Sequence, residues 1–291
     1  MRRGNLAPAL LERIRTHLVA LRMPRALEML DHVVGQLERG EVSALEAIDA
    51  LLAEEFTIRD GRRVKAALQM ARLSTIKTLS GFDFSFQPSL ERNRILTLAQ
   101  LDFIDRHEVV HVLGPPGTGK SHLAIALGVE AVKAGRSVYF ATLADIVTSL
   151  AKAEREGNLR ERIRFLCRAA LLIVDEIGYL PITAGNGNLF FQLVNARYEK
   201  GAMILTSNRG FAEWGEVFGD PVVATALLDR LLHHAVVIQI EGASYRLRQH
   251  LDLIPDALRA RPLNATSATP IRRRGRPPKH RSQDHNNGRS P

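Results

Sequence analysis

The sequence has a single cysteine, Cys167, and no long uncharged apolar run. One cysteine excludes an intrachain disulfide and any zinc site built from several cysteines. No stretch approaches the ~18 consecutive apolar residues that a membrane span needs. The first residues also lack the apolar stretch of a secretory signal. These absences predict a cytoplasmic protein with no membrane partner.

Acidic residues are almost missing from the last part of the chain. Residues 259–291 hold nine Lys or Arg and one acid, Asp284, so they carry +8 of the net charge of +9. The other 258 residues are nearly balanced, with 31 basic and 30 acidic groups. A basic tail on a balanced body is typical of a protein that binds a polyanion, most often nucleic acid. The alternative is a tail that only aids solubility.

Residues 1–80 have the apolar spacing of helices throughout. Pro24 and Gly40 interrupt the pattern, and Ser43 with Glu46 forms a capping box that predicts the start of another helix. The apolar residues of that third helix share one face: Leu45, Ile48, Leu51, Leu52 and Phe56. We therefore predict a small, all-helical N-terminal domain.

Residues 81–250 alternate strand and helix patterns. Short apolar, β-branched runs occupy residues 109–113, 138–141, 171–174, 203–206 and 236–240. Helical patterns lie between them, at residues 119–134, 143–169, 187–200 and 221–234. This alternation predicts an α/β domain with a five-stranded, mostly parallel sheet and helices on both faces. Residues 251–291 lose all periodicity and are predicted to be a disordered basic tail.

The strongest motif follows the first predicted strand and opens the next helix. It matches G-x-x-x-x-G-K-[ST] at eight consecutive positions: Gly114, Pro115, Pro116, Gly117, Thr118, Gly119, Lys120 and Ser121. Glycines let the backbone wrap closely, so that its N–H groups point at phosphate oxygens, and the helix adds its positive N-terminal end. We expect Lys120 to reach the β- and γ-phosphates of ATP and the Ser121 hydroxyl to ligate Mg²⁺.

Two carboxylates end the third predicted strand. Asp175 and Glu176 follow four apolar residues, about 55 residues after the phosphate loop. Ligands of open α/β sheets bind beyond such strand ends. We expect Asp175 to hold Mg²⁺ and Glu176 to orient the water that attacks the γ-phosphate.

Two further polar residues are candidates for the same reaction. Asn208 ends the fourth predicted strand, where an amide can touch the γ-phosphate or the attacking water. Arg230 lies in an otherwise apolar helix. It either extends to solvent or pairs with an acid such as Asp229, or it crosses a subunit boundary to stabilise charge on a neighbour's γ-phosphate.

Taken together, these motifs resemble those of AAA+ ATPases, and more closely those of IstB, the ATP-binding helper of insertion-sequence transposition. IstB is related to the DnaC and DnaI helicase loaders. The similar stretches are residues 82–84, 87–89, 113–116, 175–181, 189–193, 206–209, 213–220, 228–234 and 244–247. The phosphate loop alone is typical of any NTPase, whereas residues 213–220 and 228–234 are far more specific.

The resemblance implies an AAA+ core after a helical domain, ATP-dependent assembly into homo-oligomers on DNA, and delivery of target DNA to a transposase. It favours Arg230 as a finger acting on a neighbouring subunit. The sequence departs from the family where residues 183–187 replace a more usual basic residue. It also shows no clear second sensor arginine in a C-terminal lid, for which Arg246 and Arg248 are the candidates.

Two basic segments inside the body are candidates for duplex DNA. Residues 59–77 carry a net +5, with Arg59, Arg62 and Arg63 at their start. Residues 152–164 include Lys152 and Arg155, in a region where an extra helix contacts DNA in initiator-like relatives. Such contacts go to phosphates and are sequence-independent and sensitive to salt. The alternative for the second segment is a solvated helix face balanced by its own glutamates.

The basic tail contains a more specific motif. Residues 272–279 resemble an AT-hook, with Arg274 and Arg276 around a glycine that permits a flat approach to a narrow minor groove. The alternative is generic attraction between a polycation and DNA.

The sequence thus predicts a DNA-dependent ATPase that assists transposition, with a replicative helicase loader as the alternative. A small-molecule kinase is disfavoured, because no acceptor pocket or phosphoryl-acceptor lid is visible. A non-catalytic DNA-binding module is disfavoured by the joint presence of Lys120, Asp175 and Glu176.

Overall fold

The structure, a computed structural model, describes residues 6–73, 75–183 and 185–248. Its strands are β1 (Val109–Leu113), β2 (Val138–Thr142), β3 (Leu171–Ile177), β4 (Ala202–Ser207) and β5 (Ala235–Gln239). The helices of the first 105 residues are α1 (Leu6–Ala20), α2 (Pro24–Glu38), α3 (Ala44–Met70), α4 (Arg92–Leu98) and α5 (Asp102–Asp105). The later helices are α6 (Lys120–Lys133), α7 (Leu143–Arg155), α8 (Leu159–Leu166), α9 (Gly187–Arg197), α10 (Trp214–Phe218) and α11 (Pro221–Leu232).

The five strands form one parallel sheet in the order β2-β3-β4-β1-β5. Residues of β1 alternate between two apolar cores, one on each face of the sheet. Val110 and Val112 face the side covered by α6, and Val109 faces the side covered by α7, α9 and α11. Strands covered on both faces need apolar residues at nearly every position, which is why continuous apolar runs marked them in the sequence. The predicted α/β fold and its five strands are confirmed.

The N-terminal helices pack around a buried carboxylate. The capping box at the start of α3 is present: Ser43 Oγ accepts from Glu46 N (3.3 Å), and Glu46 Oε2 accepts from Ser43 N (2.7 Å). Farther along α3, buried Glu55 accepts from the backbone N–H of Arg25, at the start of α2 (3.1 Å). A carboxylate stabilises this helix end because the N–H groups there lack helical partners.

The apolar face predicted for α3 faces outward at four of its five positions. Leu45 is 79% exposed and Phe56 is 71% exposed, and Ile48 and Leu52 are also exposed. The helix packs through a different set, which includes Ala47 and Glu55. Regular spacing therefore identified the helix correctly but not the side that packs.

The last turn of α3 joins the sheet. Leu68, Ala71 and Leu73 belong to the same apolar core as β1 and α6. Ala71 O also accepts from Phe140 N on β2 (2.9 Å), which satisfies a donor on the outer edge of this edge strand. The predicted domain boundaries, at residues 80 and 250, stay predictions.

Two elements differ from the sequence prediction. The single helix predicted for residues 143–169 is divided into α7 and α8, because Gly157 adopts a left-handed φ of +75° that no helix accommodates. Strand β3 continues three residues past the predicted end at 174. Within the described residues, we find no helix that is both long and apolar enough to cross a membrane.

Candidate functional site

The phosphate loop lies between the end of β1 and the start of α6, at the carboxyl edge of the sheet. Its glycines are required by close contacts as well as by backbone angles. Gly117 has φ +82°, and a Cβ there would lie 2.0 Å from Ser244 Oγ. Gly119 has φ +100°, and a Cβ there would lie 2.6 Å from the Phe82 ring. A side chain at either position would push the loop out of the conformation that turns its N–H groups inward.

Lys120 is mostly buried at the base of this loop. Its Nζ donates to Pro115 O (2.7 Å), a carbonyl of the same loop. The pKa of Lys120 is lowered to about 8, mainly by burial; Asp175 opposes this shift and Arg246 adds to it. A buried ammonium group gains strongly from an anionic ligand such as a phosphate group.

Asp175 lies in a network of hydroxyl groups. It is 5% exposed, and its Oδ1 accepts from Ser121 Oγ (2.8 Å) and from the Thr206 hydroxyl. This set of one carboxylate and two hydroxyl oxygens matches the oxygen ligands that Mg²⁺ prefers. The residues present therefore fit a magnesium ion held by Ser121 and Asp175. Thr206 is a member of this network that the sequence analysis did not assign.

Glu176 occupies a β-bulge beside Asp175. From the pair Val174–Leu205 to the pair Ile177–Ser207, β3 advances three residues while β4 advances two. Glu176 takes the extra position with a left-handed φ of +64°, and its N–H donates to Thr206 Oγ1 (3.1 Å). Bulges redirect side chains, and strained backbone at a cleft is typical of functional residues. The carboxylate of Glu176 is exposed and lines the cleft beside the phosphate loop.

Asn208 lies across the cleft mouth from the phosphate loop. With its amide oriented to suit its neighbours, Nδ2 donates to the carbonyls of Ile177 (3.1 Å) and Gly178 (3.2 Å). Both carbonyls belong to the segment that follows Glu176. Asn208 therefore connects the end of β4 to the Glu176 bulge, and both residues line one cleft.

The cleft has a volume of about 440 Å³, which suits a small-molecule ligand. It is lined by Lys120, Ser121, Glu176, Asn208 and by residues from two more distant segments, among them Phe82, Gln87, Tyr245 and Arg246.

Two further segments line the cleft, and the sequence analysis gave a possible role only to Arg246 among their residues. Buried Gln87 donates to Ala243 O (3.0 Å), and Tyr245 N donates to Gly117 O (2.9 Å). Phe86 packs edge-on against Tyr245, with ring centroids 5.2 Å apart. The signal was present in the family-like stretches 82–84, 87–89 and 244–247, but their function is visible only once the fold brings them together.

Arg230 lies away from this cleft, near the end of α11. Its guanidinium carbon is 4.8 Å from the centre of the Tyr198 ring, a cation–π contact. It lines a small cavity together with Val109 and Met203, near the starts of β1 and β4. Arg230 is therefore at the amino edge of the sheet, whereas the phosphate loop is at the carboxyl edge.

The structure separates the basic candidates in α3. Arg59 makes several contacts within the chain: Nε donates to Glu55 (2.9 Å), and Nη2 donates to the carbonyls of Leu21 (3.0 Å) and Arg22 (2.5 Å). Arg63 donates to Asp60 (2.8 Å). Arg62 is exposed and has no ion-pair partner among the residues described.

The basic candidates of α7 and α8 lie on the surface. Lys152 is exposed, and its nearest carboxylate is that of Glu156 at 3.8 Å. Arg155 and Arg164 are exposed as well. Arg162 is different, because it donates to Ser149 Oγ (3.2 Å) and Tyr139 OH (3.4 Å). The AT-hook-like residues Arg274 and Arg276 lie outside the described residues.

Comparison with known proteins matches most of the chain to one family. The model described as IstB-like ATP binding protein matches residues 16–252. The IS21 putative ATP-binding protein of Pseudomonas aeruginosa is 47% identical over 229 residues, covering 79% of this chain and 86% of the relative. The IS5376 putative ATP-binding protein of Geobacillus stearothermophilus is 41% identical over 238 residues, covering 82% and 95%.

Solved structures resemble the chain more weakly. The crystal structure of DnaI is 18% identical, covers 56% of this chain and 90% of its own, and has a TM-score of 0.48. The replication initiator DnaA bound to AMPPCP and single-stranded DNA is 24% identical, covers 56% and 49%, and has a TM-score of 0.44.

Proposed function

The chain belongs to the IstB-like ATP-binding proteins, and from this premise we propose that it is an AAA+ ATP hydrolase. We propose further that it assembles on duplex DNA with ATP and assists a transposase in choosing and joining target DNA. The observation that carries the catalytic part is the bulge that buries Asp175 against Ser121 and leaves Glu176 open to the same cleft.

Each polar group of the cleft has a distinct role in hydrolysis. The loop N–H groups and Lys120 bind the phosphates, and Ser121 and Asp175 hold Mg²⁺, which neutralises charge on the phosphate oxygens. Glu176 orients and polarises the attacking water. Asn208 touches the γ-phosphate or that water from the neighbouring strand. Because Asn208 also bonds to the segment after Glu176, loss of the γ-phosphate changes the surroundings of both residues.

The far side of the cleft suits the nucleoside. Phe82 and Tyr245 supply aromatic surface at the cleft wall, and Gln87 holds the segment that carries Tyr245. Arg246 lies close enough to Lys120 to lower its pKa. Arg246 therefore takes the place of a second sensor arginine, acting on phosphate charge without a separate lid.

Arg230 serves a neighbouring subunit. It lies at the edge of the sheet opposite its own phosphate loop, so it cannot reach the nucleotide of its own chain without refolding α11. An assembly that places the amino edge of one sheet against the carboxyl edge of the next gives Arg230 a γ-phosphate to stabilise. ATP binding then favours assembly, because each nucleotide is contacted from two chains.

The two basic segments converge on the edge strand β2. Arg72, just after α3, lies 5.3 Å from the Tyr139 ring centre, and Arg162 of α8 donates to the hydroxyl of the same residue. Exposed Arg62 belongs to α3 and exposed Arg164 to α8. Exposed Arg155 ends α7, which Arg162 contacts through Ser149. We place the duplex along this edge, with contacts to phosphates and little sequence preference.

A transposase is the proposed protein partner. The relatives that share 47% and 41% identity are named as ATP-binding proteins of insertion sequences. An insertion sequence has to find and join a target site, and a protein that assembles on duplex DNA with ATP can mark that site for the enzyme that cuts and joins.

One experiment tests the whole proposal. The ATPase rate and the particle size are measured with and without duplex DNA, at two salt concentrations. We expect DNA to raise the rate and, with ATP, to shift the protein to large assemblies, both weakened by salt. Lys120→Ala is the matched control, because it removes the phosphate contact and leaves the DNA-facing arginines unchanged. An ATPase rate and a particle size that do not change when DNA is added would contradict the proposal.

A further inference from the structure

A group of metal-ligand side chains lies outside the nucleotide cleft. Glu199 follows α9, and His233 and His234 follow α11. One donor atom from each of the three lies within 4.8 Å of the other two. In the part of the chain that the structure describes, no other group of three or more His, Cys, Asp or Glu side chains meets this condition. The cluster is at the amino edge of the sheet, beside Arg230.

The spacing is close to that of a bound transition metal. Glu199 Oε1 lies 3.8 Å from His233 Nδ1 and 3.7 Å from His234 Nε2. Ligands at ~2.0–2.1 Å from a tetrahedral ion lie roughly 3.4 Å from one another. The two distances from Glu199 therefore need to shorten by only a few tenths of an ångström, and the donor nitrogens of the two histidines lie within 4.8 Å of each other. Because the side chains are about half exposed, this adjustment is easy, and water can fill the fourth position.

The backbone holds the three residues in place. Glu199 has a left-handed φ of +55°, an uncommon conformation for a residue with a side chain, and it turns the chain back toward α11. His234 O accepts from Val109 N (2.9 Å), which ties the histidine pair to the start of β1. The two imidazole rings lie 4.1 Å apart. The ligands thus come from two segments, of which the histidine pair is hydrogen-bonded to β1 and Glu199 lies shortly before β4.

We propose that Glu199, His233 and His234 bind one transition-metal ion of the Zn²⁺, Co²⁺ or Ni²⁺ class. Two imidazoles and one carboxylate suit these ions, whereas Mg²⁺ prefers oxygen ligands alone. The bound ion joins the turn after α9 to the end of α11, three residues from Arg230. The site is separate from the proposed magnesium site of the nucleotide cleft. The metal-site proposal therefore does not depend on the ATPase proposal.

Tyr198 modulates this site. Its hydroxyl lies 2.6 Å from His233 Nδ1, the same nitrogen that faces Glu199. A nitrogen lone pair cannot bind a metal and accept a hydrogen bond at the same time, so the hydroxyl and the ion compete. Tyr198→Phe removes the competitor and keeps the ring beneath Arg230.

The test uses full-length protein without an affinity tag and with ADP and Mg²⁺ saturating the cleft. Co²⁺ is titrated and followed by its visible absorption, and Zn²⁺ is followed by competition with Co²⁺. We expect one equivalent to bind. His234→Ala and Glu199→Gln should each weaken binding at least about tenfold, and Tyr198→Phe should strengthen it severalfold. His107→Ala is the matched control, because His107 lines the neighbouring cavity but is not a member of the cluster.

Three results would overturn the proposal. In the first, the wild-type chain binds no metal. In the second, the wild type and both ligand variants bind the metal with equal affinity. In the third, His107→Ala weakens metal binding as much as His234→Ala does. Equal affinity in Tyr198→Phe would contradict the use of His233 Nδ1. ADP binding by each variant shows that it is folded, because the nucleotide cleft contains none of the substituted residues.

Discussion

The two edges of the sheet are built in different ways. At the carboxyl edge, Asp175 and Thr206 are buried and bonded to each other. At the amino edge, Arg230, Glu199 and His234 remain partly or fully open to solvent. Groups that work on a ligand held inside the chain can be enclosed and fixed by their neighbours. Groups that bind a ligand or a partner from outside the chain must stay accessible to solvent. The cation–π contact with Tyr198 positions Arg230 without burying it.

The largest effect should come from the amino edge. Arg230→Ala should bind ATP normally and lose about 10³–10⁵ in turnover, because the charge that stabilises a neighbour's γ-phosphate is gone. ATPase assays at saturating ATP and DNA measure this loss. Mixing Arg230→Ala with Lys120→Ala subunits should restore part of the rate, since one supplies an intact cleft and the other an intact arginine. Co-assembly without any recovery would contradict action between subunits.

The carboxyl edge should show a somewhat smaller effect. Glu176→Gln should bind ATP and hydrolyse it roughly 10²–10⁴ times more slowly, because the amide cannot polarise the attacking water. The expected product is a long-lived ATP-bound assembly on DNA, detected by its slow dissociation. When Glu176→Gln subunits are mixed with Arg230→Ala subunits, activity can recover only in the clefts of the Arg230→Ala chains, because only those clefts contain Glu176. Near-normal turnover of Glu176→Gln alone would place the base elsewhere.

Deletion of the basic tail tests whether the rest of the chain alone accounts for DNA binding. Deleting residues 259–291 should leave basal ATPase activity intact and weaken DNA binding. If about three of its nine basic groups contact phosphates, the salt slope changes by about 2.7, and affinity near 0.15 M salt falls roughly a hundredfold. Fluorescence anisotropy over a salt series measures both quantities.

A charge-preserving change separates the AT-hook from a generic polycation. Lysine at positions 274 and 276 keeps the charge and removes the planar guanidinium groups that fit a narrow minor groove. Arg274→Lys with Arg276→Lys should abolish a preference for A·T-rich duplex and retain most of the affinity. An unchanged preference would leave only generic attraction.

The smallest effect concerns a buried histidine in the middle of the sheet. His111 is buried in the middle of β1, and its Nε2 donates to Leu231 O (3.1 Å), next to Arg230 in the chain. Burial lowers the pKa of His111 to about 4 from 6.5, although the bond to Leu231 opposes the shift. As the pH falls from 6.5 to 4, the imidazole is therefore protonated in the unfolded chain before it is protonated in the folded chain. The free energy of unfolding should decrease by about 2 kcal/mol by pH 5 from this residue alone.

His111→Phe should remove that part of the pH dependence. Urea unfolding at several pH values measures the slope, which matters here more than the absolute stability, because the variant also loses the bond to Leu231. His17→Phe is a suitable control, since His17 is exposed on α1. The same slope in wild type and His111→Phe would show that other groups cause the acid sensitivity.

Much of the fold was predictable because its signals are local. Each strand is a short apolar run between helices, and all five were placed to within a few residues. The phosphate loop was predictable for the same reason, since its three glycines lie within six residues of Lys120. The position of Gly157 was visible in the sequence too, but helical spacing on both sides of it concealed the break.

What could not be predicted depends on contacts between distant segments. The bulge at Glu176 is held by Thr206, on the next strand. The internal role of Arg59 depends on carbonyls of Leu21 and Arg22, nearly forty residues earlier in the chain. The closing of the cleft by Gln87 and Tyr245 joins segments about 150 residues apart. Periodicity carries no information about such pairs.

The length of α3 gives it the geometry of a lever. It has 27 residues and is therefore about 40 Å long. Its first turns carry the exposed apolar face, and its end is built into the core beside the phosphate-binding helix. A tilt of about 5° at the sheet moves the other end by roughly 3–4 Å by the same geometry. A small tilt at the core end would therefore become a larger displacement of the exposed apolar face at the other end, and a Cβ added at Gly61, inside α3, would meet no atom within 4 Å.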